Sequence, residues 1–171
     1  PLPTVTDPNI VVCVDAANPY DLTQLDATVG TGTVVWYDGD PNAGGTMIAD
    51  ATMADLNTAD VWAQLTDANT CVNTIDVTTT VNPLPTVTDP NIEVCIDASN
   101  PYDLTQHDAT VGTGTVVWYD GDPNAGGTMI ADATMVDLTT TDVWAQLTDA
   151  NTCVNTIDVT TTVNPLPTVT D

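Results

Sequence analysis

Short runs of alternating apolar and polar residues recur along the chain, with turn residues between them. Val61, Ala63 and Leu65 share one face of such a run, as the two-residue period of a β-strand requires. No apolar set recurs at helical spacing, so strands are predicted throughout. In the first 82 residues they are 4–6, 10–14, 20–25, 33–37, 46–48, 52–56, 61–66 and 74–81. Strands this short and frequent predict an all-β, antiparallel β-sandwich.

The whole pattern then repeats with few changes. Residues 1–82 recur as residues 83–164, and residues 165–171 match the start of the unit once more. We therefore predict one domain in 1–82, a second in 83–164 and the beginning of a third in 165–171, all within a longer tandem array.

The differences between the two copies test this interpretation. They are Val11/Glu93, Val14/Ile96, Ala17/Ser99, Leu25/His107, Ala54/Val136, Asn57/Thr139 and Ala59/Thr141. Val14 and Ala54 are replaced by other apolar residues, which predicts that these positions are buried. Val11 and Leu25 are replaced by polar residues, which predicts that these positions are exposed.

Four features of the unit also resemble a known family. They are Cys13, the Trp36-Tyr37 pair, the run Val61–Cys71, and the run Val77–Pro85 with its Asn-Pro-Leu-Pro exit. Together they resemble the immunoglobulin-like repeats of large bacterial surface and secreted proteins, including adhesins. The resemblance covers the whole unit and implies tandem immunoglobulin-like domains that act as spacers or stalks. It does not extend to Lys–Asn cross-links, because the chain has no lysine.

The amino-acid composition limits the classes of partner that the chain can bind. The chain has no Lys or Arg and 24 acidic residues, which gives a formal net charge of −24. Without cations it cannot neutralise nucleic-acid phosphates, and docking on anionic lipid is disfavoured. No apolar run of about 18 residues is present to insert into a membrane. Apolar residues still make up 42% of the chain, enough to form a folded core.

A divalent cation is the partner that this charge favours, and calcium prefers oxygen ligands. Oxygen donors alternate along Asp38-Gly39-Asp40-Pro41-Asn42, and the same loop recurs in the second copy. Gly falls one place late for an EF-hand and no Glu closes the loop, so an ordinary turn is the alternative. A second group lies at predicted strand ends near the joints between units. The predicted calcium ligands are Asp38, Asp40, Asn42, Asp120, Asp122, Asn124, Asp7, Asp67, Asn69 and Asp89, with Asn9, Asp15 and Asn91 beside them.

Two cysteines occupy the same places in each unit. Without a CxxC motif they predict disulfides and an oxidising compartment. Because the unit repeats, we predict the self-contained pairs Cys13–Cys71 and Cys95–Cys153, each worth about 4 kcal/mol in the chain-entropy model. The alternative, Cys71–Cys95, would join neighbouring units.

Aromatic residues supply the remaining candidates. Trp36 is predicted to pack in the core, whereas Trp62 alternates with Val61, Ala63 and Leu65 and is the better candidate for a binding surface. The corresponding residues of the second copy are Trp118 and Trp144.

The sequence predicts that the protein is not an enzyme. Ser99 and His107 occur in the second copy alone, which argues against a catalytic triad shared by the units. A hydrolase using paired Asp residues is the third alternative.

The sequence thus predicts an extracellular or cell-surface structural protein. It would form a stalk, fibre or filament whose partners are further copies of the same repeat, with self-association as a possible outcome. The alternative is an adhesin whose repeats bind a glycan or a protein ligand.

Overall fold

The computed structural model describes residues 1–13, 19–95, 101–165 and 167. The chain divides into two compact units, Pro1–Pro83 and Leu84–Asp171. Within the described residues, each unit is built mainly from strands in an antiparallel sheet, with little helix. The chain is therefore all-β, as predicted.

The described residues of the first unit form six strands and one single-turn α-helix, besides short 3-10 turns. They are β1 Ile10–Cys13, α1 Asp26–Val29, β2 Thr33–Asp38, β3 Thr46–Met47, β4 Val61–Thr66, β5 Val72–Asp76 and β6 Thr79–Asn82. The second unit repeats them as β7 Ile92–Cys95, α2 Asp108–Val111, β8 Thr115–Asp120, β9 Thr128–Met129, β10 Val143–Thr148, β11 Val154–Asp158 and β12 Thr161–Asn164.

Each unit has a four-stranded antiparallel sheet, in the order β3-β2-β4-β5 in the first unit and β9-β8-β10-β11 in the second. The alternation in β4 is as predicted: Val61, Ala63 and Leu65 are buried and the residues between them are half-buried. Opposite this sheet lies a parallel pair, β1 with β6 or β7 with β12. The antiparallel prediction is therefore wrong for these two strands.

The core of the first unit lies on the inner face of the four-stranded sheet. It contains Trp36 from β2, Leu65 from β4, Ile10 from β1, and Leu22 and Val29 from the connection between β1 and β2. The same positions form the core of the second unit. Each unit thus completes its own apolar cluster, which is what independent folding requires.

Two predicted strands of the first unit are turns. Residues 20–25 form a bridge at Tyr20 and a 3-10 turn, Leu22–Leu25, while residues 51–53 form a second 3-10 turn. Asp21 caps the first turn by accepting a hydrogen bond from the Thr23 N–H at 3.0 Å, and Asp50 caps the second through Thr52 in the same way. These side-chain caps compete with strand pairing. Residues 4–6 belong to no strand, although the Thr6 N–H donates to the Val29 carbonyl at 2.9 Å, and 74–81 is divided between β5 and β6.

The positions that differ between copies mostly follow their predicted exposure. Ala54 and Val136 are buried, and Val11 is 59% exposed. Leu25 was expected to be exposed but is half-buried against the core. Its replacement, His107, is half-buried too and stacks on Tyr102. Val14 and Ile96 lie outside the described residues.

The N-terminal segment of each unit runs alongside the last two strands of that unit. The Asn73 side-chain amide donates to the Pro3 carbonyl at 2.9 Å, and the Ile10 N–H donates to the Thr78 carbonyl at 2.8 Å. Further along, Cys13 pairs in register with Asn82. Residues 3–13 therefore run beside residues 73–82 in the same direction. We call the end at Pro3 the inlet end of the unit and the end at Asn82 its outlet end.

Candidate functional site

The Asp-Gly-Asp loop after β2 is held by its own hydrogen bonds. Asp38 accepts the Asp60 N–H at 2.9 Å, and Asp40 accepts the Asn42 N–H at 2.8 Å. The Asn42 amide donates to the Thr74 hydroxyl at 3.0 Å. The three predicted ligands thus cap or brace turns through these bonds.

The copy of this loop in the second unit has the same bonds. Asp120 accepts the Asp142 N–H at 3.0 Å, and Asp122 accepts the Asn124 N–H at 2.8 Å. Asn124 again donates to a threonine hydroxyl, that of Thr156, at 3.0 Å. Identical bonding in both units indicates that this arrangement is a property of the repeat.

The second predicted group of ligands is spread along the unit. Asp7 accepts the N–H of Asn9 at 2.8 Å and that of Thr78 at 3.2 Å, next to β6. Asp67 accepts the N–H of Asn69 at 2.8 Å and that of Cys71 at 2.9 Å, in the turn between β4 and β5. The two carboxylates therefore stabilise two separate turns.

Asp89 repeats the role of Asp7 in the second unit. It accepts the Asn91 N–H at 2.8 Å and the Thr160 N–H at 3.2 Å. In the part of the chain that the structure describes, no three acidic, histidine or cysteine side chains come together to hold a metal ion. Asp15 lies outside that part. Calcium binding stays a prediction, because main-chain and amide oxygens can also coordinate this ion.

The hydrogen bonds of these turns lower the pKa values of several carboxyl groups. Burial raises the pKa of Asp7, but the bonds from Asn9 and Thr78 outweigh it and leave the pKa below its usual value. Hydrogen bonds from the capping threonines lower the pKa of Asp50, Asp132 and Asp137 as well. In each case the folded state favours the ionised carboxylate.

Acid is therefore expected to destabilise the units. A carboxyl pKa that is lower in the folded than in the unfolded state contributes stability above about pH 4, and this is lost as the pH falls through the folded pKa. The urea midpoint should fall between about pH 4.5 and pH 2. Asp7→Asn, which keeps an oxygen acceptor, should reduce this dependence. A midpoint that rises steadily down to pH 2 would mean that relief of charge repulsion dominates instead.

The cysteines differ from the prediction. Cys71 and Cys95 are free thiols, whereas Cys13 and Cys153 are disulfide-bonded. Neither Cys13–Cys71 nor Cys95–Cys153 is formed, because each pair contains one free thiol, and the alternative Cys71–Cys95 is not formed either. The predicted pairing is wrong for this structure.

The fold gives the physical reason. Cys71 lies two residues before Asn73, at the inlet end, whereas Cys13 pairs with Asn82 at the outlet end. The two cysteines are separated by a paired segment of up to about 30 Å if fully extended. A disulfide needs Cα atoms within about 7 Å, and the placement of the two cysteines at opposite ends of this segment accounts for the absence of the predicted bond.

Trp36 and Trp62 lie on opposite faces of the sheet, as the alternation of apolar and polar residues predicts. Trp36 is buried, and its indole N–H donates to the Asp26 carboxylate at 2.8 Å. Trp62 is half-buried on the other face of the sheet, in register with Tyr37 on one side and Asp76 on the other. Trp118 and Trp144 repeat these positions. The pair of Tyr37 and Trp62 gives the outer face an aromatic patch.

Sequence reasoning missed a shallow hollow beside β3. It has a volume of about 330 Å³ and is lined by Asp38, Asp50 and Asp55 together with Met47 and Met53. Both methionines are more than 60% exposed. A similar hollow of about 270 Å³ occurs in the second unit. The sequence carries no direct signal for this hollow, because the exposure of its two methionines follows only from the fold.

A second contact missed from the sequence occurs in the second unit alone. The His107 ring nitrogen Nε2 lies 2.8 Å from the Tyr102 hydroxyl, and the two rings stack with centroids 5.9 Å apart. Burial and the neighbouring Asp103 raise the pKa of Tyr102. Because Leu25 replaces His107 in the first unit, this pair cannot serve a function that both units share.

No helix in the described part of the chain is both long and apolar enough to cross a bilayer. No known protein-family model matches the sequence, and no curated protein matches it.

Proposed function

We propose that the chain is part of an extracellular structural protein in which immunoglobulin-like units are laid in tandem as a stalk, fibre or filament. The observation that carries this proposal is the path of the chain through each unit. It enters at the inlet end, completes one core and leaves at the outlet end. A unit of this kind can be added repeatedly, so that length grows with copy number.

The near-identity of the copies supports the same proposal. Core residues, turn-capping carboxylates and the parallel pair recur at equivalent positions, and the few differences include exposed ones such as Val11/Glu93. An enzyme needs one site of defined geometry, whereas here the polar groups recur as turn caps. Disulfide bonding at Cys13 and Cys153 favours an oxidising location outside the cell.

Single-molecule stretching tests the structural role. In reducing buffer, the chain pulled from its two ends should unfold in two steps of equal length. Each step should release one unit of 82 residues, up to about 290 Å of extended chain before the folded length is subtracted. One merged step, or no resistance before full extension, would contradict a load-bearing array of independent units.

Calcium is proposed as a stiffening ion, because the chain carries a net charge of −24 without a single Lys or Arg. Millimolar calcium should raise the melting temperature by several degrees compared with the same sample in chelator, through preferential binding to the folded state. Magnesium at equal ionic strength is the control for simple charge screening. Superimposable melting curves in calcium and in chelator would contradict the proposal.

An adhesin is the second candidate function, favoured by the aromatic patch of Tyr37 and Trp62. Aromatic rings on an exposed strand face can stack on sugars or pack against a partner protein. Binding of the chain on a glycan array, lost in Trp62→Ala combined with Trp144→Ala, would favour this function. Binding that persists in this double variant would exclude the patch as the site.

A further inference from the structure

The hollow beside β3 brings methionines and carboxylates together. The chain has four methionines, and each is more than 60% exposed: Met47 and Met53 in the first unit, Met129 and Met135 in the second. Each pair lines the hollow of its own unit. Every methionine of the chain therefore lies at one of the two hollows. Flexible, polarizable methionine side chains at a surface are typical of sites that adapt to a bound partner.

Three acidic side chains complete the lining of the first hollow. Asp38 ends β2, Asp50 caps the turn at 51–53, and Asp55 caps the turn that follows. All three are exposed. The hydrogen bonds that hold these turns reach the Oδ1 atom of each residue. An ionised carboxylate has about four acceptor sites, so each of the three can still accept from a cation.

A ligand that fits both kinds of lining has an apolar stem and a cationic end. A lysine side chain has this form, because its methylenes pack on apolar surface while its ammonium group carries three donors. Arginine fits less well, since its planar fork pairs with both oxygens of one carboxylate, and here Oδ1 already accepts a turn hydrogen bond. The chain has neither Lys nor Arg, so a second copy of it cannot supply the cation.

The shape of the hollow favours a side chain presented by a larger molecule. Sites for free small ligands bury about 70–90% of the ligand surface. This hollow is shallow, with a volume of about 330 Å³, and its methionines and carboxylates are exposed. A partner protein gains further contact area on the surface around the hollow, which a free amine does not.

We propose that the hollow of the first unit binds an exposed lysine side chain of a partner protein. The two methionines pack against the methylenes of that side chain, and the three carboxylates accept hydrogen bonds from its ammonium group. The proposal does not rest on the tandem array, because the first unit carries the whole site.

The two copies differ at the hollow itself. Ala54 and Ala59 line the first hollow. Val136 and Thr141 occupy the same places in the second, where the volume is about 270 Å³ and two Asp side chains, instead of three, belong to the lining. The second hollow is thus narrower and less acidic. We expect it to bind the same side chain more weakly.

Methionine-methyl NMR of the full chain tests the proposal, because all four signals come from the two hollows. Single Met→Leu variants assign the signals. The probe is the peptide acetyl-Ala-Lys-Ala-amide, titrated in chelator at constant ionic strength. It should shift the Met47 and Met53 signals saturably, and those of Met129 and Met135 only at higher concentration. The arginine peptide should bind more weakly, and the peptide with an acetylated lysine should lose most of the shift.

Asp50→Asn removes one charge but keeps an oxygen that can cap the turn. It should weaken binding at the first hollow by about two- to five-fold, the contribution of one exposed ion pair. Asp132→Asn at the equivalent place in the second unit is the matched control and should leave the Met47 and Met53 titration unchanged. Ala54→Val combined with Ala59→Thr introduces the residues of the second unit and should lower binding to the level of that unit.

Several outcomes would overturn the proposal. They are the absence of a saturable shift at up to about 20 mM lysine peptide, equal binding of the arginine or acetylated peptide, and binding that Asp50→Asn does not weaken. Tighter binding of putrescine than of the lysine peptide would also overturn it, since the occupant would then be a free diamine. None of these results affects the stretching experiment, so the two proposals can fail separately.

Discussion

Replacing Trp36 with alanine is expected to destabilise the first unit strongly and to leave the stability of the second unit unchanged. Trp36 is 3% exposed in the centre of the first core, and its indole N–H is bonded to Asp26. Truncating a buried Trp costs about 3–5 kcal/mol. A unit of this length has a total stability of about 4–12 kcal/mol. The loss therefore removes a large share of the stability of that unit.

Urea denaturation followed by two-dimensional NMR measures the two units separately through residues that differ between the copies, such as Leu25 and His107. We expect two transitions in Trp36→Ala, with the second unit at its wild-type midpoint. Trp62→Ala is the matched control, because Trp62 is half-buried on the outer face, and it should cost far less. A single shifted transition for both units would contradict their independence.

Replacing Gly45 with alanine is expected to have the second large effect. A Cβ at this position would meet the carbonyl group of Gly39 and the carbonyl carbon of Asp40. The neighbouring main chain cannot easily move, because two main-chain hydrogen bonds hold it. The Gly45 N–H donates to the Asp40 carbonyl at 2.8 Å, and the Gly39 N–H donates to the Asp60 carbonyl at 2.7 Å. We expect a loss of about 3 kcal/mol, at the upper end for an overpacked site.

The adjacent residue provides the control for this substitution. Gly44 has a φ of +97°, but a Cβ there would meet nothing within 4 Å. Asn tolerates the left-handed region better than most residues, so Gly44→Asn should cost about 1 kcal/mol. Chemical denaturation of both variants measures the difference. Equal losses of stability in the two variants would mean that this loop requires glycine because of the φ angle, and not because two backbone segments approach closely.

Strand prediction succeeded where one face of a strand is buried. Val61–Thr66 was predicted with its observed bounds, because strict alternation is produced by a strand with a core on one side. It failed at residues 20–25 and 52–56, where Thr and Leu favour strands but an Asp two residues before a Thr caps a turn. That Asp-x-Thr signal was present in the sequence and is local, so it could have been used.

The parallel pairing of β1 with β6 had no comparable local signal. It joins Ile10 to Thr79 across most of the unit, and the switch between sheets occurs at Thr78, where Asp7 accepts the main-chain N–H. The disulfide pairing failed for the same reason. Equal spacing of cysteines in a repeat does not reveal at which end of the fold each one lies, and that position determines the partner.

The parallel pair also determines how a unit responds to tension. The chain reaches β1 from the inlet end and leaves β6 at the outlet end, and the two strands point the same way. A pull on the chain ends therefore drags the strands past each other in shear, so the hydrogen bonds between them are loaded together. In a hairpin pulled from its two open ends, the bonds would peel apart one after another. The strand pair that departs from the antiparallel prediction is thus the one that we expect to resist the pull in the stretching experiment.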